Sequence, residues 1–480
     1  MSLRFSTAQQ QEVTSSDLLA ALALLVGSDN VHAAFADRFI YARDRMPWAT
    51  FNLREGRLPG GLPIAIVTPA SHTQVRAVVR LANERGVPII PFGAGSGVLG
   101  GTIPSGGELM VDLKRLNRIS LWHETDLMVT VEAGMNGAEF ERQLNERGYT
   151  CGHYPQSMNM STVGGWVACR GAGQASTRYG KIEDMVRGMT AVLPNGDDLE
   201  VRAGPHRAVG PSLQDLLVGA EGTLGVITSA TLSIRRMPPC RRPLVLAFPT
   251  LHQALKAGRE MLQTELRPAV FRLYDEVESK ARTEGIAVFE ALPFLCMLEF
   301  HGSAPLVAVE SSLAEEIARH HGALVGPETP FANWLMTRYE SYSARWQTEG
   351  YFMDTVEIAA PWSRIPGMYE SMKLAVRNID ERIFFGTHWS HAYPEGACQY
   401  MTMRLPPMPT ADGLAMHARV WDTLQTMCLE QGGSISHHHG IGLFRSTWFK
   451  RELGGAHGML YAIKKALDPQ GLFNPGKLGL

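Results

Sequence analysis

Three consecutive histidines, His437, His438 and His439, form the densest group of chemically versatile side chains in the sequence, and they end on the glycine turn Gly440-Ile441-Gly442. An imidazole titrates near neutral pH and can give a proton to, or take one from, a substrate oxygen or carbon. The pattern therefore indicates a proton-transfer site. A zinc site and a fortuitous polar turn are the other interpretations that these residues leave open.

A second chemical feature is the glycine-rich stretch from Pro91 to Thr102, which has five glycines within nine positions. Residues without a Cβ atom allow the backbone to turn with positive φ and to direct its N–H groups at an anion, so a pyrophosphate would fit. The spacing is neither that of a Rossmann fingerprint nor that of a Walker loop, which disfavours NAD and ATP. A simple surface turn is the alternative.

These residues must be positioned by an α/β framework. The stretch 64–67 is typical of a strand, 75–85 repeats apolar residues at helical spacing, and 87–90 is apolar again. The same alternation continues, with strands predicted at 109–113, 127–131, 188–192 and 225–234 and a helix at 137–147.

A charged, proline-rich stretch, 235–243, predicts a joint between two domains. Beyond it, 244–266 and 294–321 each read as an apolar strand followed by a long helix, which predicts an antiparallel sheet covered by helices. The fold class is therefore α+β. The predicted divisions are a helical segment 1–54, a first domain 55–238, a second domain 239–430 and a C-terminal segment 431–480 that carries the histidines and packs back on the first domain.

The composition excludes several classes of protein. The 480 residues carry a formal net charge of -2, and the 45 lysines and arginines are scattered, so nucleic acid is not an expected partner. No apolar run is long enough for a transmembrane helix and no signal peptide is apparent, which predicts a cytoplasmic protein. The six cysteines include no Cys-x-x-Cys pair and are expected to be reduced thiols.

Together with the glycine-rich stretch, the segments 157–166, 168–173 and 219–228 resemble, in order and separation, the FAD-binding domain of the vanillyl-alcohol-oxidase (PCMH-type) family. The resemblance implies a two-subdomain FAD-binding domain and FAD as the cofactor. Covalent members of that family commonly attach flavin through a histidine in the glycine-rich stretch. Ser96 and Gly97 occupy that position here, so we expect non-covalent, dissociable FAD.

The same resemblance implies three groups of cofactor contacts. Along the pyrophosphate it places Pro91, Phe92, Gly93, Ala94, Gly95, Ser96 and Gly97. Beside the isoalloxazine and ribityl chain it places Gln156, Ser157, Met158, Asn159, Met160, Ser161, Thr162, Cys169, Arg170, Gly171 and Ala172. Against the adenosine half it places Glu221, Gly222, Thr223, Leu224, Gly225, Val226 and Ile227.

The segments 396–400, 437–442 and 467–475 resemble the alkyldihydroxyacetonephosphate synthase family, as do 148–155 and 179–184. That family exchanges an acyl chain for a fatty alcohol with flavin as a covalent electrophile at N5 and no net redox change. The resemblance implies Tyr400 as general acid/base, the three histidines in proton transfer, and Arg272 as the cation that binds an anionic group. It also implies a small or lipid-like substrate, a homodimer, no metal, and leaves peripheral membrane contact open.

Two departures weaken the case for a phosphorylated substrate. Where the family has a substrate-binding arginine, this chain has Tyr342 and Ser343, with Arg345 nearby, and Leu443 stands where a basic residue is expected.

Two other functions stay open. A FAD-linked D-lactate or glycolate dehydrogenase would share the FAD domain. In metal-dependent members the metal ligands lie in a segment that corresponds to 391–398 of this chain and at a glutamate that His438 replaces here. A protein that only binds flavin would have no need of Tyr400, Arg272 and the histidines.

Overall fold

The computed structural model describes residues 12–340 and 343–480, with side chains from residue 16 to 340 and from 346 to 480. Tyr342 and the side chains of Ser343 and Arg345 therefore lie outside the described residues. The helices are α1 Glu12–Val26, α2 Phe35–Ile40, α3 Pro47–Arg54, α4 His72–Arg85, α5 Gly137–Glu146, α6 Val163–Cys169, α7 Ser176–Tyr179, α8 Ile182–Met185, α9 Gln214–Leu217, α10 Leu251–Gln263, α11 Glu276–Thr283, α12 Val288–Ala291, α13 Ala304–His320, α14 Thr329–Thr337, α15 Ser343–Thr348, α16 Ile365–Ile379, α17 Thr410–Glu430, α18 Ser446–Leu453 and α19 Gly455–Leu467. Within the described ranges, no helix has the length and apolar character needed to cross a bilayer.

The first half of the chain builds two main sheets. A mixed sheet has the strand order β1-β2-β4-β3, in which β2, β4 and β3 are parallel. An antiparallel sheet has the order β5-β6-β10-β8-β9. Their strands are β1 Val31–His32, β2 Ala65–Val67, β3 Ile89–Phe92, β4 Leu109–Asp112, β5 Ile119–His123, β6 Met128–Glu132, β8 Val186–Val192, β9 Asp198–Val201 and β10 Val226–Ser233. A small separate pair joins β7 Tyr149–Thr150 to β11 Arg235–Arg236.

The second half builds one antiparallel sheet of seven strands in the order β15-β12-β14-β13-β17-β18-β16. The strands are β12 Cys240–Phe248, β13 Val270–Tyr274, β14 Phe294–Gly302, β15 Leu324–Val325, β16 Phe352–Pro361, β17 Phe384–Ala392 and β18 Gly396–Leu405. The helices α10, α13, α16 and α17 bury apolar residues against it, such as Leu255, Val307, Met368 and Trp421. The predicted α+β class and the helix-covered antiparallel sheet are confirmed.

Local chemistry explains why the predicted elements form. In α4 the Ser71 side chain accepts a hydrogen bond from the Gln74 N–H at the start, and Gly86 ends the helix with φ +63°. The helix buries Val75, Val78, Val79 and Ala82, which lie on one face.

The predicted joint 235–243 contains β11 and the first part of β12, so that only 237–239 connect the two halves without regular structure. The apolar pattern did not reveal β11 and the start of β12 because the side chains of Arg235, Arg236, Arg241 and Arg242 are exposed. A strand whose side chains are charged and exposed has the same sequence pattern as a linker.

The C-terminal segment contacts both halves. Asn474 N–H donates to Ile89 O over 2.8 Å, and Ile89 N–H donates to Leu472 O over 2.8 Å, so 472–474 extend the first sheet beside β3. The Lys464 ammonium is buried against Asp468, whose carboxylate also accepts from the backbone N–H groups of 472 and 473. Leu472 and Phe473 join the hydrophobic core of the first half.

Two helical glycines test the packing of the second sheet. A Cβ atom at Gly413 would lie 2.2 Å from the Phe352 ring, whereas one at Gly367 would meet no atom within 4 Å. We expect Gly413→Ala to lower the free energy of unfolding by about 1–3 kcal/mol through overpacking. Gly367→Ala is the matched control and should raise it by up to about 1 kcal/mol. Equal urea midpoints for the two variants would contradict this packing.

Candidate active site

One row of side chains crosses four neighbouring strands of the seven-stranded sheet. Tyr274 on β13 lies opposite His388 on β17, His388 opposite Tyr400 on β18, and Tyr400 opposite Glu357 on β16. Directly opposed residues of antiparallel strands point to the same face, and so do residues two apart along one strand. Arg272, two residues before Tyr274, therefore shares the face with Tyr400. The sheet register alone brings together two of the predicted catalytic residues.

The three histidines reach this face from a turn that follows α17. The turn is tied to β16 by an antiparallel bridge between Ser434 and Ala359. The His438 ring lies nearly parallel to the Tyr400 ring at 6.1 Å between centroids, and the His439 ring meets Tyr400 edge-on at 5.5 Å. His437 lies next to His438, with 3.1 Å between their Nδ1 atoms.

Two further imidazoles complete the group, and the sequence did not single out either for a role. His388 stacks on Tyr400 at 4.8 Å between centroids, and His391 stacks on His437 at 5.0 Å. A register shift between Ser390 and 392 and a φ of +49° turn His391 toward the site. Strand alternation cannot predict such a bulge, which is why His391 was seen only as part of a lost metal motif.

Burial keeps these imidazoles neutral. It lowers the pKa of His437 to about 3, with help from the Lys181 ammonium, and the pKa of His388 to about 4, with help from Arg272. Burial also lowers the pKa of His391 and His438 well below the ordinary value, and that of His439 to a lesser degree. At neutral pH these imidazoles are therefore in the unprotonated state that can accept a proton, and their lowered pKa makes each of them a weak base.

The surroundings of the Tyr400 phenol do not make it a base. A phenol needs a lowered pKa to act as a base at neutral pH. Burial raises its pKa instead, and the negative charges of Glu357 and Asp354 raise it further. Its hydroxyl donates to Thr355 Oγ1 over 3.0 Å. Tyr400 therefore rests as the protonated member of the pair and the imidazoles as the unprotonated members.

The Arg272 guanidinium is fixed by neutral partners. Its Nε donates to Tyr274 Oη over 2.7 Å and one Nη donates to His388 Nε2 over 3.0 Å. Trp334 covers it at 5.4 Å from the ring centroid. None of these partners is an anion, so the guanidinium can pair with an anionic ligand, as a substrate-binding role requires.

Two charged residues that the sequence did not single out hold the histidine turn. Lys181 Nζ donates to His437 O over 2.7 Å, and the buried Glu357 carboxylate accepts from the backbone N–H groups of the turn. Glu357 stands within the otherwise apolar run Val356-Glu-Ile-Ala-Ala360. A carboxylate inside an apolar strand is the signal that could have found it.

The segments predicted to contact FAD, at 91–97, 156–172 and 221–227, lie against one another, and we call the region that they form the cofactor cradle. A Cβ atom at Gly93 would lie 2.4 Å from Thr162 Oγ1, and one at Gly222 would lie 2.9 Å from Pro91. Glu221 N–H donates to Ala168 O over 2.9 Å, which joins the third segment to the second. Gly95 adopts φ +62°, the backbone state that exposes N–H groups to an anion.

The fit of these segments to FAD is supported by an orphaned buried side chain. His153 is fully buried, and neither of its ring nitrogens has a hydrogen-bond partner in the described part of the chain. Its Nε2 lies 3.8 Å from the Cβ position of Gly171, inside the segment that the resemblance places beside the isoalloxazine. Buried polar atoms are rarely left unpaired, so a polar ligand is the expected partner.

Several side chains of the predicted cofactor set point away from the cradle. Met158, Leu224 and Val226 are buried in the hydrophobic core of the first half. Ser161 Oγ accepts from Trp166 Nε1 over 2.7 Å, and Gln156 Nε2 donates to Glu340 O over 3.1 Å. At these positions only the backbone is left to face a cofactor.

A group of possible metal ligands lies within the same site. One ligand atom each from Cys398, His437 and His438 lie within 4.8 Å of one another. Burial raises the pKa of the Cys398 thiol well above its ordinary value. The thiol must lose its proton to bind an ion, so this burial opposes metal binding.

Two family models match the chain. Residues 63–202 match the family described as FAD binding domain, and residues 237–478, half of the chain, match the family described as FAD linked oxidases, C-terminal domain. The second match begins at the short connection 237–239 between the two halves.

The names of individual relatives describe two kinds of activity. An alkyldihydroxyacetonephosphate synthase of Dictyostelium discoideum is 27% identical over 448 residues, which cover 87% of this chain and 73% of the relative. A mitochondrial D-lactate dehydrogenase (cytochrome) of Arabidopsis thaliana is 27% identical over 427 residues, with 87% and 73% coverage. A solved structure of an alkyldihydroxyacetonephosphate synthase superposes with a TM-score of 0.83 at 23% identity and covers 98% of this chain and 87% of its own.

The neutral imidazoles predict a loss of stability in acid. Burial lowers the pKa of His153 to about 3, so below pH 6.5 the unfolded chain binds a proton that the folded chain refuses. Each such imidazole adds a slope of about 1.4 kcal/mol per pH unit to the unfolding free energy. His153→Asn should remove one such contribution between pH 6 and pH 4 in urea titrations. His252→Asn, at an exposed helix position, is the control, and equal slopes in both variants would refute the assignment.

We expect FAD to dissociate from the chain. No histidine occupies the glycine-rich stretch from 91 to 102, where covalent relatives attach flavin. Acid precipitation should leave a colourless pellet and a yellow supernatant, and FAD should restore the colour after refolding. Colour that stays with the pellet would show a covalent bond.

Proposed function

We propose that this chain, which belongs to the family of FAD-linked oxidases, exchanges an ester-linked acyl group for an alcohol on a small oxygenated substrate, as an alkyldihydroxyacetonephosphate synthase does. Its cofactor is FAD and the chain is an enzyme. The observation that carries the proposal is the pairing of a protonated phenol, Tyr400, with neutral imidazoles on both sides. An exchange without net oxidation needs groups that return every proton they take.

FAD, when bound, supplies an electrophilic ring that can accept an electron pair from the substrate. The remaining chemistry belongs to the chain. In this proposal the imidazoles of His438 and His439 take the proton of the incoming alcohol, the acyl chain leaves as a carboxylate that keeps the ester oxygen, and the Tyr400 hydroxyl exchanges a proton with the substrate carbon. Arg272 binds the anionic end of the substrate, since its guanidinium is held by uncharged partners.

The substrate class follows from these groups. Acyl dihydroxyacetone phosphate, with a fatty alcohol as the second substrate, is the class that the synthase relatives suggest. Leu443 and Ser343 stand where basic residues were expected, so Arg272 is the cation that we assign to the phosphate. A homodimer, contact with a membrane surface and a cytoplasmic location remain predictions from the sequence.

Oxidation of a 2-hydroxy acid is the second candidate. The D-lactate dehydrogenase relative and the potential ligand set of Cys398, His437 and His438 favour it. In that case the imidazoles would bind a metal ion or accept a proton that is not returned, and the flavin would be left reduced.

One anaerobic experiment separates the two candidates. Purified protein is mixed with acyl dihydroxyacetone phosphate or with D-2-hydroxy acids, and the flavin absorption is followed. We expect bleaching with the acyl substrate that is reversed by fatty alcohol without an oxidant. Full reduction by a hydroxy acid, and no response to the acyl substrate, would reject the exchange.

Removal of the Tyr400 hydroxyl tests the acid/base assignment. Tyr400→Phe should keep FAD and lower the turnover number by about 100-fold or more, because the proton carrier is lost. Tyr369→Phe is the control, since this buried phenol donates to Asp275 outside the site. Similar turnover numbers for the two variants would remove Tyr400 from the reaction.

Metal dependence gives an independent test. We expect less than stoichiometric metal by elemental analysis and unchanged exchange activity after dialysis against a chelator, because protonated Cys398 disfavours an ion. Activity that falls with the chelator and returns with Zn²⁺ or Mn²⁺ would favour the hydroxy-acid dehydrogenase.

A further inference from the structure

A single carboxylate holds the backbone of all three histidines. Glu357 is buried in β16, and its oxygens accept from the N–H groups of His437, of His438 over 3.3 Å and of His439 over 3.0 Å. It also accepts from Ser436 Oγ over 3.0 Å. Three consecutive N–H groups directed at one acceptor fix the backbone of this turn, and with it the starting point of each imidazole side chain.

The charge of Glu357 is balanced by one buried cation. One Nη of Arg445 lies 2.8 Å from Glu357 Oε1, and the other donates to Glu357 O over 2.7 Å. The side chains of both residues are 0% exposed. The guanidinium also donates to Gly440 O over 3.1 Å, just after the histidines. A buried charge pair with every oxygen used in hydrogen bonds holds a single geometry rather than several.

The carboxylate also relates the turn to Tyr400. Glu357 and Tyr400 are directly opposed on β16 and β18, so the distance between them is set by the sheet. The histidine turn is fixed to Glu357, which places the His439 ring 5.5 Å from the Tyr400 ring. The strand pair thus acts as a common base for the phenol and the imidazoles.

We propose that Glu357 is a positioning residue, which holds the imidazoles of His437, His438 and His439 at working distance from Tyr400 and the substrate. The proposal deepens the proposed function and rests on it for the reaction that is measured. Glu357 itself touches neither substrate nor cofactor in this assignment. It acts through the backbone of the turn, and Arg445 keeps its charge in place.

The negative charge of Glu357 acts on the pKa of nearby histidines, whereas the length of its side chain decides which N–H groups it reaches. Its negative charge opposes the lowering of the pKa of His437 and His439. The other charged or titratable groups near the turn include Lys181, Glu221, Asp354, His391, Tyr393, Cys398, Tyr400, Arg445 and Glu452. Length and charge can therefore be tested by separate substitutions.

Two variants of the FAD-loaded protein separate these contributions. Glu357→Asp keeps the charge but shortens the side chain by one methylene, so it cannot reach all three N–H groups. Glu357→Gln keeps the length and removes the charge. Asp468→Asn is the matched control for amide exchange, because Asp468 also holds two backbone N–H groups and a buried cation but contacts none of residues 437–439 in its hydrogen bonds.

Three readouts apply to each variant. Backbone amide hydrogen exchange at 437–439 reports the contacts of the turn. Exchange of the imidazole Cε1 hydrogen, followed by mass spectrometry across pH, reports the titration of each histidine. Steady-state kinetics separates kcat from KM.

For Glu357→Asp we expect amide exchange at 437–439 at least tenfold faster and kcat lower by about 100-fold, with KM within about threefold. For Glu357→Gln we expect the pKa of His437 and His439 to fall, because a negative charge is lost. Asp468→Asn should leave both exchange measurements at 437–439 unchanged. Parental amide exchange and parental kcat in Glu357→Asp would overturn the proposal.

A double variant tests the proposal if either single variant of Glu357 fails to fold. Glu357→Gln with Arg445→Met removes both buried charges together, so that neither is left unpaired. We expect it to bind FAD while amide exchange at 437–439 is fast and kcat is low, and a parental kcat would overturn the proposal. If the parent protein does not catalyse the proposed reaction, the proposed function fails. The amide and imidazole hydrogen-exchange measurements still decide the role of Glu357.

Discussion

The active site depends on the exclusion of water from a group of imidazoles. Burial is the largest influence on the pKa of His388, His391, His437, His438 and His439, and it holds all of them neutral. The same burial raises the pKa of the neighbouring Tyr400 phenol. One physical cause therefore produces an acid and a set of bases side by side, without a dedicated charge for each. The structure needs only to keep water away from these rings and to hold them in place.

Residues of both halves of the chain surround the imidazoles. Ser176 of the first half hydrogen-bonds His391 of the second over 2.7 Å, and Lys181 holds the carbonyl oxygen of His437. Glu221, at the end of the cofactor cradle, accepts from the N–H groups of Ile441 and Gly442 directly after the histidines. The loop that is predicted to contact the cofactor is thus joined to the turn that carries the bases. Cofactor binding and base positioning share one set of contacts.

The sequence predicted what depends on local pattern or recognisable segments. The strands around β2, β3 and β4, the helix α4, the antiparallel sheet of the second half and the FAD cofactor were all available from spacing, apolar periodicity and family resemblance. The strand β11 and the first residues of β12 were missed because their exposed arginines break the apolar pattern. His391 was missed as a member of the imidazole cluster because a bulge reverses its direction, and Glu357 because its partners are backbone groups 80 residues or more away. Long-range hydrogen bonds to the main chain leave no trace in spacing.

The segment from 472 to 474 extends the first sheet beside β3, although it is synthesised after the entire second half. During translation the N-terminal half therefore emerges with its parallel sheet unfinished on one side, and Asn474, which donates to Gly101 O and Glu221 O, is still missing from the cradle. The edge of this sheet beside β3 is consequently completed only after residues 472–474 have left the ribosomal exit tunnel, when the whole of the seven-stranded sheet has already been synthesised.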